Sequence, residues 1–548
     1  MKGRSVFFRV TALFYGLLFL LVVADGAAAE GPIYGGTLRW HEGANPPQID
    51  PHKATDTVSA RVVYCLFETL VANSADGQTI EPLLAESWRA SADGLTWTFK
   101  LRPGVHFHEA IEGGKPTENA GREVTAEDWK WSFERMIRNK SPRAFFVDCI
   151  KGYREMADGR ADEWSGIRAL DRYTLEFTLE EPFAPFLSVM AHNAFVVVPR
   201  EDAEKWGANF GFHPVGTGPF VFEEWRQDQY LSMVKNPVYW RKDEAGRQLP
   251  YLDGLRLSVI PDSTVAWEEF KAGNLDMMKD VPDHLVLEAR RLFDKGMLEA
   301  PTPATYFYGF NNLRGPFAGN RVLRQAFNYA VDREAINELV LEGLFFPAKG
   351  VLPPSMPGYN PNLRGYSYDP AKAGALLEEA GYARGFECTL QVNQDKRHQA
   401  VAEAVQAQLA MVGVKMNIRV VDWGVHLDTL DRGEAEFFRL GLAVDYLDPD
   451  SFLYANLHSS NFGERGNQAF YKNDDVDRRL AEARVETDQE ARMTLYREAE
   501  QQIVEDAPWL FLFHYSNNIA AHPFVRGVTL PAFGNFTFRM DKVWMTRK

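Results

Sequence analysis

Between residues 369 and 421 the chain alternates helix signal, glycine and strand signal, and this punctuation constrains the fold more than any other feature. Asp369 stands as an N-cap with Pro370 at the first helical position, and the segment stops near Gly381. Residues 398–412 then carry Val401, Val405, Leu409 and Val412 on one face, followed by Gly413. Residues 414–421 read as a strand. Helices alternating with single strands in this way predict an α/β domain, with helices covering a sheet. A long helix over residues 321–343 and a strand at 509–513 extend the pattern on either side.

Before residue 300 the texture differs. GGTLRW at 35–40 reads as a strand, PPQIDP at 46–51 breaks it, and residues 58–70 read as a helix with Val62, Cys65, Leu66 and Leu70 on one side. LTWTFKL at 95–101 alternates apolar and polar residues, the pattern of a half-buried strand, and TLEFTL at 174–179 repeats it. Between them Thr125 starts a helix with Asp128 three residues on, close to a capping box, and Trp129, Phe133, Met136 and Ile137 follow on one face. GTGPF at 216–220 opens a further strand-rich section, with a strand at 255–260.

The first 29 residues set the compartment. Lys2, Arg4 and Arg9 precede an apolar run over residues 10–24, and Ala27-Ala28-Ala29 offers a small-residue cleavage site. This is the pattern of a secretory signal peptide, and the run is too short for a comfortable membrane span. Cleavage after Ala29 is expected to release the chain into the periplasm. No cysteine lies near the site, so no lipid anchor is expected. Removal of the segment takes away three basic residues and one acidic residue, so the formal charge of −15 becomes −17. Such a balance argues against a nucleic-acid partner. Cys65, Cys149 and Cys388 are odd in number and far apart, which fits neither a disulfide framework nor a metal site. Enzyme motifs are lacking: there is no G-x-S-x-G elbow and no phosphate-binding G-x-x-x-x-G-K-[ST] loop. HFHEAIEGG at 106–114 begins like a zinc site, but Glu112 stands where the second histidine of H-E-x-x-H belongs. No enzyme activity, metal or cofactor is expected.

Nine segments, in order along the chain, together resemble one family. They are IDPHKATD (49–56), LFETL (66–70), EPLLAESW (81–88), WTFKLRPGVHF (97–107), VTAEDWKWSFERM (124–136), GTGPF (216–220), LRQAFNYAVDREAI (323–336), YDPAKAGALLEEAGY (368–382) and DYLDPDSF (445–452). The family is the extracytoplasmic solute-binding proteins of ABC importers, specifically the dipeptide- and oligopeptide-binding group, family 5. The resemblance implies a type II periplasmic binding protein, α/β, with two lobes joined by a two-strand hinge and an extra domain inserted in the first lobe. On the composition breaks, residues 30–66, 206–295 and 516–548 form the first lobe, 67–205 the insertion, and 296–515 the second lobe. The implied function is capture of short peptides by a monomer and delivery to an inner-membrane permease with its ATPase subunits. Within the same fold, an oligosaccharide, nickel chelate, haem or opine remains the alternative ligand. A secreted hydrolase is the distant alternative.

The resemblance also implies site residues. Asp445 matches the aspartate that pairs with the peptide α-ammonium, a charge-assisted contact suited to a closed cleft. Read locally, Asp445 is a turn-capping aspartate. Asp448 and Asp450 flank Pro449 and read as turn or helix-start residues. Arg397, in QDKRHQ, is the candidate for the peptide carboxylate, because its planar fork suits a bidentate contact. Extended segments at 305–310 and 441–444 are expected to pair with the peptide backbone. Tyr446, Trp423 and Tyr308 are expected to line side-chain pockets, with a core position as the alternative for each.

Overall fold

The computed structural model describes residues 31–444, 446–534 and 537–546; the expected signal peptide and Asp445 lie outside them. Strand β1 (Thr37–Glu42) leads into helix α1 (Thr57–Leu66), capped by Asp56. The helix ends four residues before the sequence pattern does, because Phe67 turns extended. The insertion builds its own antiparallel sheet from β2 (Ala85–Ala90), β3 (Thr96–Leu101), β4 (Ile167–Asp171) and β5 (Thr174–Thr178), in the order β2-β3-β5-β4. Helix α2 (Ala126–Arg138) starts as expected: the Asp128 carboxylate accepts from the Thr125 backbone N–H at 2.8 Å. The first lobe then resumes with β6 (Phe220–Arg226), β7 (Tyr230–Lys235) and β8 (Gly254–Val259), giving the sheet order β1-β8-β7-β6 with β1 and β8 parallel.

GTGPF owes its glycines to close approach. A Cβ on Gly216 would lie 2.1 Å from the carbonyl oxygen of Leu66, and one on Gly218 would lie 2.6 Å from the Leu66 carbonyl carbon. His108 holds the same loop. Its Nδ1 accepts from the Gly216 N–H at 3.2 Å and its Nε2 donates to the Gly218 carbonyl at 3.1 Å. Burial pushes its pKa down to about 4, so it serves as a neutral structural residue. Gly218→Ala should cost roughly 1–3 kcal/mol by overpacking against backbone that cannot retreat; urea denaturation measures it.

The second lobe is built on a seven-stranded sheet. Its main path runs β9-β14-β10-β13-β11-β12, where β9 is Met277–Lys279, β10 Met297–Phe310, β11 Phe386–Asn393, β12 Val414–Val421, β13 Phe437–Ala443 and β14 Trp509–Ala521. Strands β13, β11 and β12 run parallel, and Phe346–Pro347 adds a short antiparallel pair to β14. Both faces are buried. Phe310, Phe327, Phe386 and Phe437 fill one core; Phe307, Phe438, Trp509 and Tyr496 fill the other. Met277 and Met278 are successive residues of β9, and they enter the first-lobe core and the second-lobe core respectively. Ile519 and Ala520 of β14 do the same, so these strands carry the junction between lobes. Residues 263–271, placed by composition with the first lobe, send Trp267 and Phe270 into the second-lobe core.

Local punctuation reads through well here. The helix Pro370–Glu379 is capped by Asp369, and the strand at 414–421 has the expected limits. The helix expected over 321–343 is two helices, α3 (Arg321–Ala330) and α4 (Arg333–Leu339). Val331 is extended, and Asp332 caps the second helix by accepting from the Ala335 N–H. The three cysteines form no disulfide. Among the described residues no helix is long and apolar enough to cross a membrane.

Glu500 is fully buried beneath the sheet, accepting from the backbone N–H groups of Val351 and Leu352 at 2.9 and 2.8 Å. Burial pushes its pKa from 4.5 up to about 7. Between those values the folded state holds a proton that the unfolded chain has released. Stability is therefore full below about pH 4.5 and falls as pH rises to 7, by about 3 kcal/mol for this group. Glu500→Gln should flatten that slope in urea melts taken at pH 5 and pH 7.5.

Candidate functional site

The parallel strands of the second lobe create a notch. Helix α5 (Lys396–Met411) leads from β11 out to β12, and α6 (Trp423–Asp431) leads from β12 back across to β13 on the other side of β11. The connection reverses between β11 and β13, so their carboxyl ends diverge. Such reversal points are the usual ligand crevices of open α/β sheets. Strand β13 pairs with β10 along its whole length, from Phe437 opposite Phe310 to Ala443 opposite Ala304. Against β11 it pairs only at Phe437 and Phe438. From Leu440 to Ala443 no strand covers that edge among the described residues. The segment at 441–444 can therefore accept a peptide backbone up to Ala443, where the strand ends. The segment at 305–310 cannot, because β10 is paired on both sides, by β13 and β14.

Five side chains ring the base of the notch. Arg439 is 7% exposed; its Nη1 donates to Asn393 Oδ1 at 3.3 Å and its Nη2 to the Tyr515 hydroxyl at 3.0 Å. Its guanidinium lies 4.7 Å from the Tyr306 ring centre. His398, in the first turn of α5, packs on Tyr306 at 5.4 Å. Burial and the adjacent Arg439 charge hold its pKa down to about 4. Arg439 shows in the sequence as a lone cation in FFRLGLA, an otherwise apolar strand.

The expected site residues divide. Trp423 is 45% exposed at the start of α6 and stacks on His426, 5.7 Å between ring centres. Tyr308 is fully buried and packs edge-on against Phe437, which makes it a core residue instead of a pocket wall. Arg397 does not stand free for a carboxylate: it pairs with Asp283 and lies over the Phe345 ring at 5.3 Å.

Tyr446 lies in the turn after β13, at the seam with the inserted domain. Its ring meets Phe146 edge-on at 5.9 Å, and its hydroxyl donates to Asp450 Oδ2 at 2.9 Å. A cavity of about 670 Å³ opens here, lined by Phe145, Phe146, Phe183, Tyr446 and Tyr454. Arg484 crosses its wall, 4.0 Å from the Tyr454 ring centre and 3.0 Å from Asp450 Oδ1. Asp448 is held by Arg492 through two bonds of 2.8 and 2.6 Å, and Ser188 of the insertion donates to it at 3.3 Å. It also accepts from the Asp450 N–H at 3.0 Å, as a turn residue should, and Asp450 opens helix α7 (Asp450–Leu457). Both carboxylates are thus committed to the fold. A larger depression of about 1020 Å³ lies around Glu112, Trp225 and Arg256, and no second-lobe residue lines it. No group of three or more potential metal ligands occurs among the described residues.

Comparison with known proteins places this arrangement. Bacterial extracellular solute-binding proteins, family 5 Middle, match residues 79–464. Heme-binding protein A of Haemophilus influenzae is 34% identical over 486 residues, 86% of each chain. Di/tripeptide-binding protein 2 of Pseudomonas aeruginosa is 31% identical over 515 residues, covering 92% of this chain and 94% of that one. Among solved structures, the murein tripeptide binding protein MppA in its unliganded open form superposes with a TM-score of 0.81 at 27% identity, over 94% of this chain and 98% of that one. With a type II binding-protein fold and relatives matched over nearly its whole length, the chain belongs to the bacterial extracellular solute-binding proteins of family 5.

Proposed function

We propose that this chain captures short peptides in the periplasm, between its two lobes, and delivers them to an inner-membrane ABC permease with its ATPase subunits. The observation that carries the reading is the edge of β13 from Leu440 to Ala443, which no strand covers among the described residues, beside a notch at the sheet's reversal point. An extended peptide can add to that edge through main-chain hydrogen bonds, which gives affinity without demanding particular side chains. Trp423 at the start of α6 and Tyr446 at the seam are the proposed side-chain contacts, and Asp445 the proposed ammonium partner. Hinge closure of the lobes would enclose the ligand. Export by cleavage after Ala29 and action as a monomer complete the reading. The peptide-binding relative and the tripeptide-binding neighbour support it.

A haem or other flat ligand is the second reading. The relative named for haem and the aromatic cavity around Tyr446 favour it. Calorimetric titration of the mature chain with trialanine and with haemin separates the two, and chromatography of the recovered ligand tests for turnover. Peptide binding with the peptide returned intact supports the first reading. Haemin binding alone supports the second. Cleaved peptide makes the protein a hydrolase and refutes both.

A further inference from the structure

We propose that Asp280 is a hinge residue of this chain and that its ion pair with Arg61 is a catch that holds the lobes open. The inference does not depend on which ligand the cleft takes. Strand β9 enters the junction tied to the first lobe. Asp276, just before it, accepts from the Arg39 backbone N–H on β1 at 2.8 Å and from the Arg39 guanidinium at 2.7 Å. Lys279, its last residue, is buried with its ammonium 3.2 Å from Glu42 and 5.1 Å from the ring centre of Trp40, a first-lobe core residue. Beyond Asp280, Val281, Val286 and Ala289 all pack in the second-lobe core.

The backbone and the side chain of Asp280 are held from opposite sides. Its φ is +55°, a left-handed conformation that aspartate tolerates better than most residues. Its N–H donates to the Asn518 carbonyl at 3.1 Å, and the Val281 N–H donates to Asn518 Oδ1 at 2.6 Å. Asn518 lies on the second-lobe side of Ile519 in β14. The Asp280 carboxylate reaches the other way, to Arg61 Nη2 on helix α1 of the first lobe, at 2.7 Å. Arg61 is itself fixed, because its Nη1 donates to buried Glu42 at 2.5 Å. A rotation of one lobe against the other is absorbed by backbone torsions at such a position. Turning the backbone at 280 draws the carboxylate away from the guanidinium.

The pair belongs to an open arrangement. The chain superposes on the unliganded open form of MppA with a TM-score of 0.81, and on the peptide complex of Helicobacter pylori DppA with 0.66, although identity is 27% with the first and 30% with the second. The pair can part without stranding a buried charge. The Asp280 side chain is 55% exposed and rehydrates, while Arg61 keeps Glu42. A contact made in the open state and lost on closure lowers the closed population, and with it the apparent affinity for any ligand that needs closure.

Asp280→Asn keeps the backbone tolerance and the side-chain shape and removes the charge. Single-molecule FRET on the ligand-free mature chain, with one dye on each lobe, should show the closed population raised about fivefold, the effect of losing one partly exposed ion pair. Calorimetry should show trialanine binding tighter by the same factor. Arg61→Lys serves Glu42 but not both carboxylates; it should raise the closed population as much, and the double variant no further. A lower melting temperature with closed population and affinity unchanged would make the pair merely structural and overturn the proposal. Additive effects of the two substitutions, or a smaller closed population, would also overturn it. If trialanine binds neither wild type nor variant, the peptide reading fails, and the ligand-free FRET alone decides on the catch.

Discussion

Asp445→Asn should weaken binding of a free tripeptide by about 30- to 3000-fold, the range set by removing one partner of an enclosed charge pair, about 2–5 kcal/mol. Two of the three carboxylates in DYLDPDSF are committed to the fold. Asp448 is already neutralised by Arg492, and Asp450 by Arg484 and the Tyr446 hydroxyl. Neither can turn to a ligand without leaving its cation alone, and for Asp448 that cation, Arg492, is buried. Asp445 is the remaining carboxylate of the three, and it is the one that the family resemblance assigns to the ammonium. Asparagine keeps the shape and one acceptor oxygen but removes the charge. An N-acetylated tripeptide should lose a similar factor on wild type and lose nothing further on the variant. Equal loss of both peptides on the variant would return Asp445 to the role of a turn residue.

Arg492→Met should destabilise the second lobe by about 3–5 kcal/mol. Asp448 is 2% exposed, and with Arg492 gone its carboxylate keeps, among the described residues, the Ser188 hydroxyl and the Asp450 N–H. The cost is that of a stranded charge, not of the pair itself. The double variant Asp448→Asn with Arg492→Met should therefore recover much of the loss. Because the pair sits directly behind the turn after β13 and touches the insertion through Ser188, the single variant should also weaken peptide binding. Urea denaturation gives the stability, and a change under 0.5 kcal/mol would show that the pair contributes nothing measurable.

What could be read from the sequence was what short-range chemistry decides. Asp369-Pro370 with Gly381, and Gly413 before a strand, mark helix ends within a few residues of chain, and the structure keeps them. The same logic applied to Asp332 would have split the 321–343 helix correctly. Tyr308 was misplaced because a strand buried on both faces gives its aromatics no alternation to distinguish core from cleft. Arg397 was misplaced because its partner, Asp283, comes from a distant segment that only the fold brings near. The free edge of β13 lay beyond local pattern altogether, since it depends on where β11 stops pairing. Arg439 was legible as an anomaly, a charge in an apolar strand, but its neighbours Asn393, Tyr306 and Tyr515 lie on other strands that only the fold brings near.

Native mass spectrometry of the mature chain, purified gently from the periplasm, tests the central claim most directly. The account predicts a ladder of bound masses corresponding to peptides of two to five residues, released on activation and absent from Asp445→Asn. A single non-peptide mass carried equally by wild type and the variant would contradict it.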